Sequence, residues 1–131
     1  MINSKKFIRF FSTFTIIIAL VHFVLETFYT YLFGQTWASL LPDYIAVALC
    51  TISGLMVLKN IKAVGFLCGA WGFAFCLHYR SWAWRFDNFL SETSTPLIEN
   101  TMYFLLYTMP ISIVAFVISL IICYPKNNDN K

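Results

Sequence analysis

The chain has 131 residues and a net charge of +3, with 60% of its residues hydrophobic and only 11% charged. A soluble domain carries roughly 25% charged residues, and a fold of this length cannot hide so large an apolar fraction from water. A soluble globular protein is therefore excluded. So is a nucleic-acid-binding surface, because the basic residues flank hydrophobic runs instead of forming a patch.

The first apolar run, residues 10–33, follows Lys5, Lys6 and Arg9, so its start resembles a signal peptide. It is longer than an h-region of about 7–15 residues, and no small-residue cleavage site follows it, which predicts a retained helix ended by Gly34. A connection from Gln35 to Leu41 leads to Pro42, whose fixed φ suits the first turn of a second span over 42–58. Asp43 would then sit at a helix N-terminus, where negative charge is favoured.

Lys59-Asn60-Ile61-Lys62 is a tight connection into a third span over 63–79, which makes spans two and three antiparallel neighbours. Gly65, Gly69, Gly72 and Cys76 form a small-residue stripe on that span, suited to close packing by another helix. Residues 80–98 read as the longest polar connection, with Trp82, Trp84 and Phe86 as an interfacial belt on a short surface helix. The fourth span, 99–124, should be kinked by Pro110 and stopped by Pro125 and the polar tail Lys126–Lys131. The expected fold is all-α: one domain, an integral membrane antiparallel four-helix bundle.

Lys5, Lys6, Arg9, Lys59, Lys62, Lys126 and Lys131 fall on one side of this topology, against Arg80 and Arg85 on the other. The positive-inside rule places both termini in the cytoplasm. Small size and strong charge asymmetry point to a bacterial inner membrane. Cys50, Cys68, Cys76 and Cys123 lie within the spans and form no CxxC pair, so they read as packing residues and not as a redox centre.

His22 and Glu26 are the least expected residues, because ionisable groups inside a span are costly and face a bundle interior or a wet cavity. Their i, i+4 spacing places them on one face, which Thr15 and Tyr29 extend into a polar stripe. Counting about 1.5 Å per residue from Phe10, His22 lies roughly 18 Å and Glu26 roughly 24 Å across a hydrocarbon core of about 30 Å. His78 on the third span reaches roughly 22 Å, and Tyr103 and Tyr107 lie roughly 6 and 12 Å below the outer edge on the fourth. Asp43 starts the second span at the same level.

This shared depth predicts a pocket in the outer half of the bilayer for a membrane lipid or small amphipathic molecule. Tyr29, His78, Arg80, Tyr103 and Tyr107 are the expected ligand-binding residues, with His22 and Glu26 as an acid/base pair. The structural alternative is a network of His22, Glu26 and the tyrosines that pins the register of the helices. Two histidines and a carboxylate have the composition of a facial triad, but an HxxxE spacing alone is a weak metal motif. No metal and no cofactor are expected.

The segment His22-Phe23-Val24-Leu25-Glu26, with Thr27-Phe28-Tyr29 after it, resembles the HxxxE-plus-aromatic helix of the emopamil-binding proteins in the EXPERA group. The resemblance covers about one helix in four. It implies a membrane cavity for sterols or cationic amphiphiles, with His22 and Glu26 serving proton transfer in an isomerase. The second intramembrane acid of that family has no counterpart in spans two and three beyond Asp43.

The sequence thus favours a binder of an amphipathic ligand. An isomerase-type enzyme using Glu26 and His22, a small proton-coupled transporter and an accessory subunit are the alternatives. A homodimer or a partner membrane subunit is compatible with each.

Overall fold

The computed structural model describes residues 4–124, and these fold into helices joined by short connections. Pro125 and the tail Lys126–Lys131, expected to terminate the last span, lie outside the described residues. Helix α1 spans Lys5–Phe33, α2 Trp37–Lys59, α3 Val64–Leu90 and α4 Pro96–Cys123, and a 3-10 turn over Ile61–Ala63 precedes α3. All four are long and apolar enough to cross a membrane. With large side chains such as Phe10, Val24, Phe28 and Phe66 more than 60% exposed, the outer surface matches hydrocarbon and not water. The chain is an integral multi-pass membrane protein.

Local chemistry sets each boundary. Ser4 caps α1 by accepting a bond from Phe7 N at 3.2 Å, and Gly34 ends it in the left-handed region at φ 68°, with its N–H on Thr30 O. Helix α2 begins at Trp37, ahead of the expected start at Pro42. Ser39 and Leu40 donate their N–H groups to Thr36 O and form the first turn without proline, so Pro42 lies inside the helix. Its missing donor costs one bond near the helix start, where a proline is best tolerated. Asp43 consequently does not sit in the first turn, and a helix N-terminus is not what holds it.

Helix α3 continues to Leu90, through the stretch read from sequence as a polar connection. No glycine or proline falls between Gly72 and Pro96, so polarity alone does not break the helix. Side chains on this extension bond back one turn: Arg85 to Ser81 O, Asn88 to Trp84 O and Ser91 to Asp87 O. Trp82 and Phe86 stack at 5.0 Å on the same continuous helix, which replaces the separate surface helix. Thr95 then caps α4, whose first residue is Pro96.

The helices pack in sequence, α1 on α2, α2 on α3 and α3 on α4. A close approach joins α1 and α2, where a Cβ added to Gly54 would lie 3.1 Å from Ser12 O and 2.7 Å from Ile16 Cγ1. Of the α3 glycines only Gly72 has a neighbour that an added Cβ would meet, Phe116, whereas a Cβ at Gly65 or Gly69 would meet nothing within 4 Å, and Cys76 is exposed. The small residues facing inward on the α4 side are Ser112, Ala115 and Ser119. The α3 stripe therefore contributes one contact point, and α4 supplies most of the small side chains.

Candidate functional site

The buried face of α1 runs through Ile8, Phe11, Ser12, Thr15 and Ala19, at the three- and four-residue steps that keep side chains on one stripe. Continuing that stripe brings His22 and then Glu26, both partly buried. On α2 the same periodicity passes through Asp43, Ala46, Cys50 and Gly54, and on α3 through Trp71, Ala74 and His78. These three faces enclose a cavity of about 50 Å³, open on one side.

Its two ends differ. At one, Trp71 Nε1 donates to Thr15 Oγ1 at 3.0 Å, and the Thr15 hydroxyl donates to Phe11 O at 2.9 Å. Phe11 stacks on Trp71 at 6.4 Å, so this end is closed by aromatic contact and a satisfied pair of hydrogen bonds. About 10 Å further along, by a rise of about 1.5 Å per residue, come His22, Asp43 and His78. His22 Nε2 is 3.8 Å from Asp43 Oδ1, and the His22 and His78 rings are 5.7 Å apart at 65°. His22, Glu26 and Asp43 each present a ligating atom within 4.8 Å of the other two.

Between these ends the walls are apolar, with Ile18, Ala19, Ala46, Val47, Ala74 and Leu77. Glu26 lies within electrostatic range of Asp43, His22 and Arg85. The Arg85 guanidinium donates to Ser81 and sits 5.7 Å from the Trp84 ring centre, so its direct partners are on its own helix. His78 Nδ1 is buried and has no hydrogen-bond partner among the described residues.

Of the residues singled out from sequence, the structure gathers His22, Glu26 and His78 into one region. Tyr29 lies further along α1 and reaches Thr101 on α4 at 3.5 Å. Tyr103 and Tyr107 do not line the cavity. They are 48% and 78% exposed on the apolar outer surface of α4. Arg80 is exposed at the α3 surface, outside the cavity.

The tyrosines were placed by depth along their helix, which says nothing about rotation around it. Asp43 and Trp71 take their place. Asp43 was legible as an acid at the right level, and reading α2 back to Trp37 aligns it with Ala46 and Cys50. Trp71 carried no polar signal until its indole N–H met Thr15.

Comparison with protein-family models, curated proteins and solved structures finds no match to this chain.

Proposed function

We propose that the chain is a membrane-embedded binding protein for a lipid-like or small amphipathic ligand. The ligand's polar end would meet His22, Asp43 and His78, which line the cavity, with Glu26 beside them, and its apolar part would lie along the α1–α2–α3 cleft. The observation that carries this reading is the two-ended cavity, apolar along its walls, with its imidazole and carboxylate groups gathered at the His22–Asp43 end. Its volume of about 50 Å³ is well below the roughly 300–1,000 Å³ of sites that enclose a whole drug-sized molecule. It suits a small head group or a chain end, with the remainder of the ligand in the bilayer beside the opening.

The membrane arrangement belongs to the same proposal: an antiparallel four-helix bundle in a bacterial inner membrane, with both termini cytoplasmic. Supporting the antiparallel course, Thr27 meets Tyr44 at one end of the α1–α2 seam, while Ser12 meets Gly54 at the other. Supporting the orientation, Lys5, Lys6, Arg9, Lys59 and Lys62 cluster on one side. The cavity's ionisable end then faces the outer half of the membrane.

The test is to release the protein from native-lipid nanodiscs and identify retained small molecules by mass spectrometry. A retained amphipathic species that is lost in Ala46→Leu, which fills the cavity without touching its ionisable groups, is the expected result. A protein that carries no such species, or that carries it equally in Ala46→Leu, would sink the reading.

A further inference from the structure

Two carboxylates and an imidazole from two helices meet where α1 faces α2. Glu26 follows His22 by one turn on α1, Asp43 enters from α2, and one donor atom from each falls inside a 4.8 Å group. The His22 and Asp43 side chains are 26% and 25% exposed, so the cluster is set into the protein and is not a solvated surface. No lysine or arginine makes an ion pair with Glu26 or Asp43 among the described residues. Two acids this close in an apolar setting are costly unless positive charge is brought to them. His22 and the more distant Arg85 supply part of that charge, and a bound cation would supply it at contact distance to both acids.

The neighbouring histidine points the same way. The His78 ring stands 5.7 Å from that of His22, and its buried Nδ1 has no hydrogen-bond partner among the described residues. Most buried side-chain polar atoms have a hydrogen-bond partner, and a ring nitrogen without one in the protein is free to accept from water or to meet an ion or ligand.

We propose that His22, Glu26 and Asp43, with His78 beside His22, bind one divalent first-row transition-metal ion. Imidazole nitrogen mixed with carboxylate oxygen suits ions of the zinc, manganese, iron and cobalt group. The hard alkaline-earth ions prefer oxygen alone, and soft copper(I) prefers thiolate. Bond lengths of about 2.0–2.2 Å set donor-to-donor distances of about 3.3–3.6 Å around a tetrahedral ion, so donors within 4.8 Å of one another must draw in by up to about 1.5 Å to close on it. Cys50 lines the far end of the cavity, about two turns from Asp43 on α2, and is not a donor.

The ion would tie α1 to α2 and would hold the two carboxylates without a protein cation. This inference does not rest on the amphipathic ligand, since the donors coordinate with or without one.

The experiment strips the full-length protein in nanodiscs with a chelator and titrates it with Co²⁺, then with Zn²⁺ as competitor. One Co²⁺ per chain is expected, displaced by Zn²⁺, with visible ligand-field bands and no thiolate-to-cobalt charge transfer. Asp43→Asn and His22→Gln should each weaken Co²⁺ binding at least about tenfold. Glu99→Gln, a carboxylate on α4 outside the cluster, should leave it unchanged. Absence of Co²⁺ binding, a thiolate charge-transfer band, or unaltered affinity in both variants would overturn the proposal. Should the variants fail to fold, the wild-type stoichiometry and spectrum decide it alone. Ala46→Leu should lose the amphipathic ligand and keep Co²⁺, so the two proposals can fail separately.

Discussion

The α1–α2 seam has two ends built on opposite principles. Around Gly54 the helices close until a single added Cβ would press on Ser12 O and Ile16. Around Asp43 the same two helices hold His22 and Glu26 apart from it, with a cavity below and few direct hydrogen bonds. Between them, Trp71 from α3 packs on Phe11, bonds Thr15 and forms part of the cavity wall. Stability in a bilayer comes from close packing and satisfied polar groups, and the Gly54 end meets the first condition more fully than the Asp43 end. A cavity beside ionisable groups is what the proposed binding would use.

The largest break in that contrast is expected from Trp71→Ala, which removes the divider between the two ends. It should cost about 3–5 kcal/mol, read as a fall in the unfolding midpoint in detergent. Next comes the triple change His22→Leu, Glu26→Leu, Asp43→Leu. Replacing an ionisable cluster by apolar side chains should leave stability unchanged or raise it by about 1–4 kcal/mol, while retention of ligand and ion is lost. A triple variant that unfolds would instead make the cluster part of the fold. Gly54→Val should cost about 1–3 kcal/mol by forcing α1 from α2, again in the unfolding midpoint.

Smaller effects sharpen the picture. Trp71→Phe keeps the stacking and loses only the bond to Thr15, about 0.5–1.5 kcal/mol, because Thr15 still donates to Phe11 O. Tyr107→Phe lies on the lipid-facing surface and should change stability by less than about 0.5 kcal/mol and ligand retention not at all. A loss of ligand in Tyr107→Phe would bring α4 back into the site.

Much of this architecture was legible in the residues, and the misreadings have identifiable causes. Gly34 marked the end of α1 because its left-handed φ is one that few other residues adopt. Pro42 misled, since a proline permitted at a helix start is also tolerated in the second turn when Thr36 and Ser39 open the helix ahead of it. Residues 80–98 read as a connection because their polar side chains suggest a chain leaving the membrane, but α3 runs on to Leu90. The backbone continues as helix there because nothing in that stretch interrupts its hydrogen bonding. In the site, the i, i+4 pair His22 and Glu26 was visible because helical periodicity relates them directly. Tyr103 and Tyr107 were grouped with the site by depth alone, and the structure turns both to the exposed face of α4.

Composition and hydropathy alone determined that the chain is helical and membrane-embedded, because long uncharged runs can satisfy their backbone groups in lipid only as helices. The polar stripe of α1 was likewise set by spacing within one helix. The tertiary structure decided which face of α2, α3 and α4 turns toward that stripe. It selected Asp43, Trp71 and His78 as its neighbours and sent Tyr103 and Tyr107 to the surface. Rotation of one helix against another depends on side chains meeting across the seam, such as Gly54 on Ser12 and Trp71 on Thr15. No periodicity within a single helix encodes those meetings.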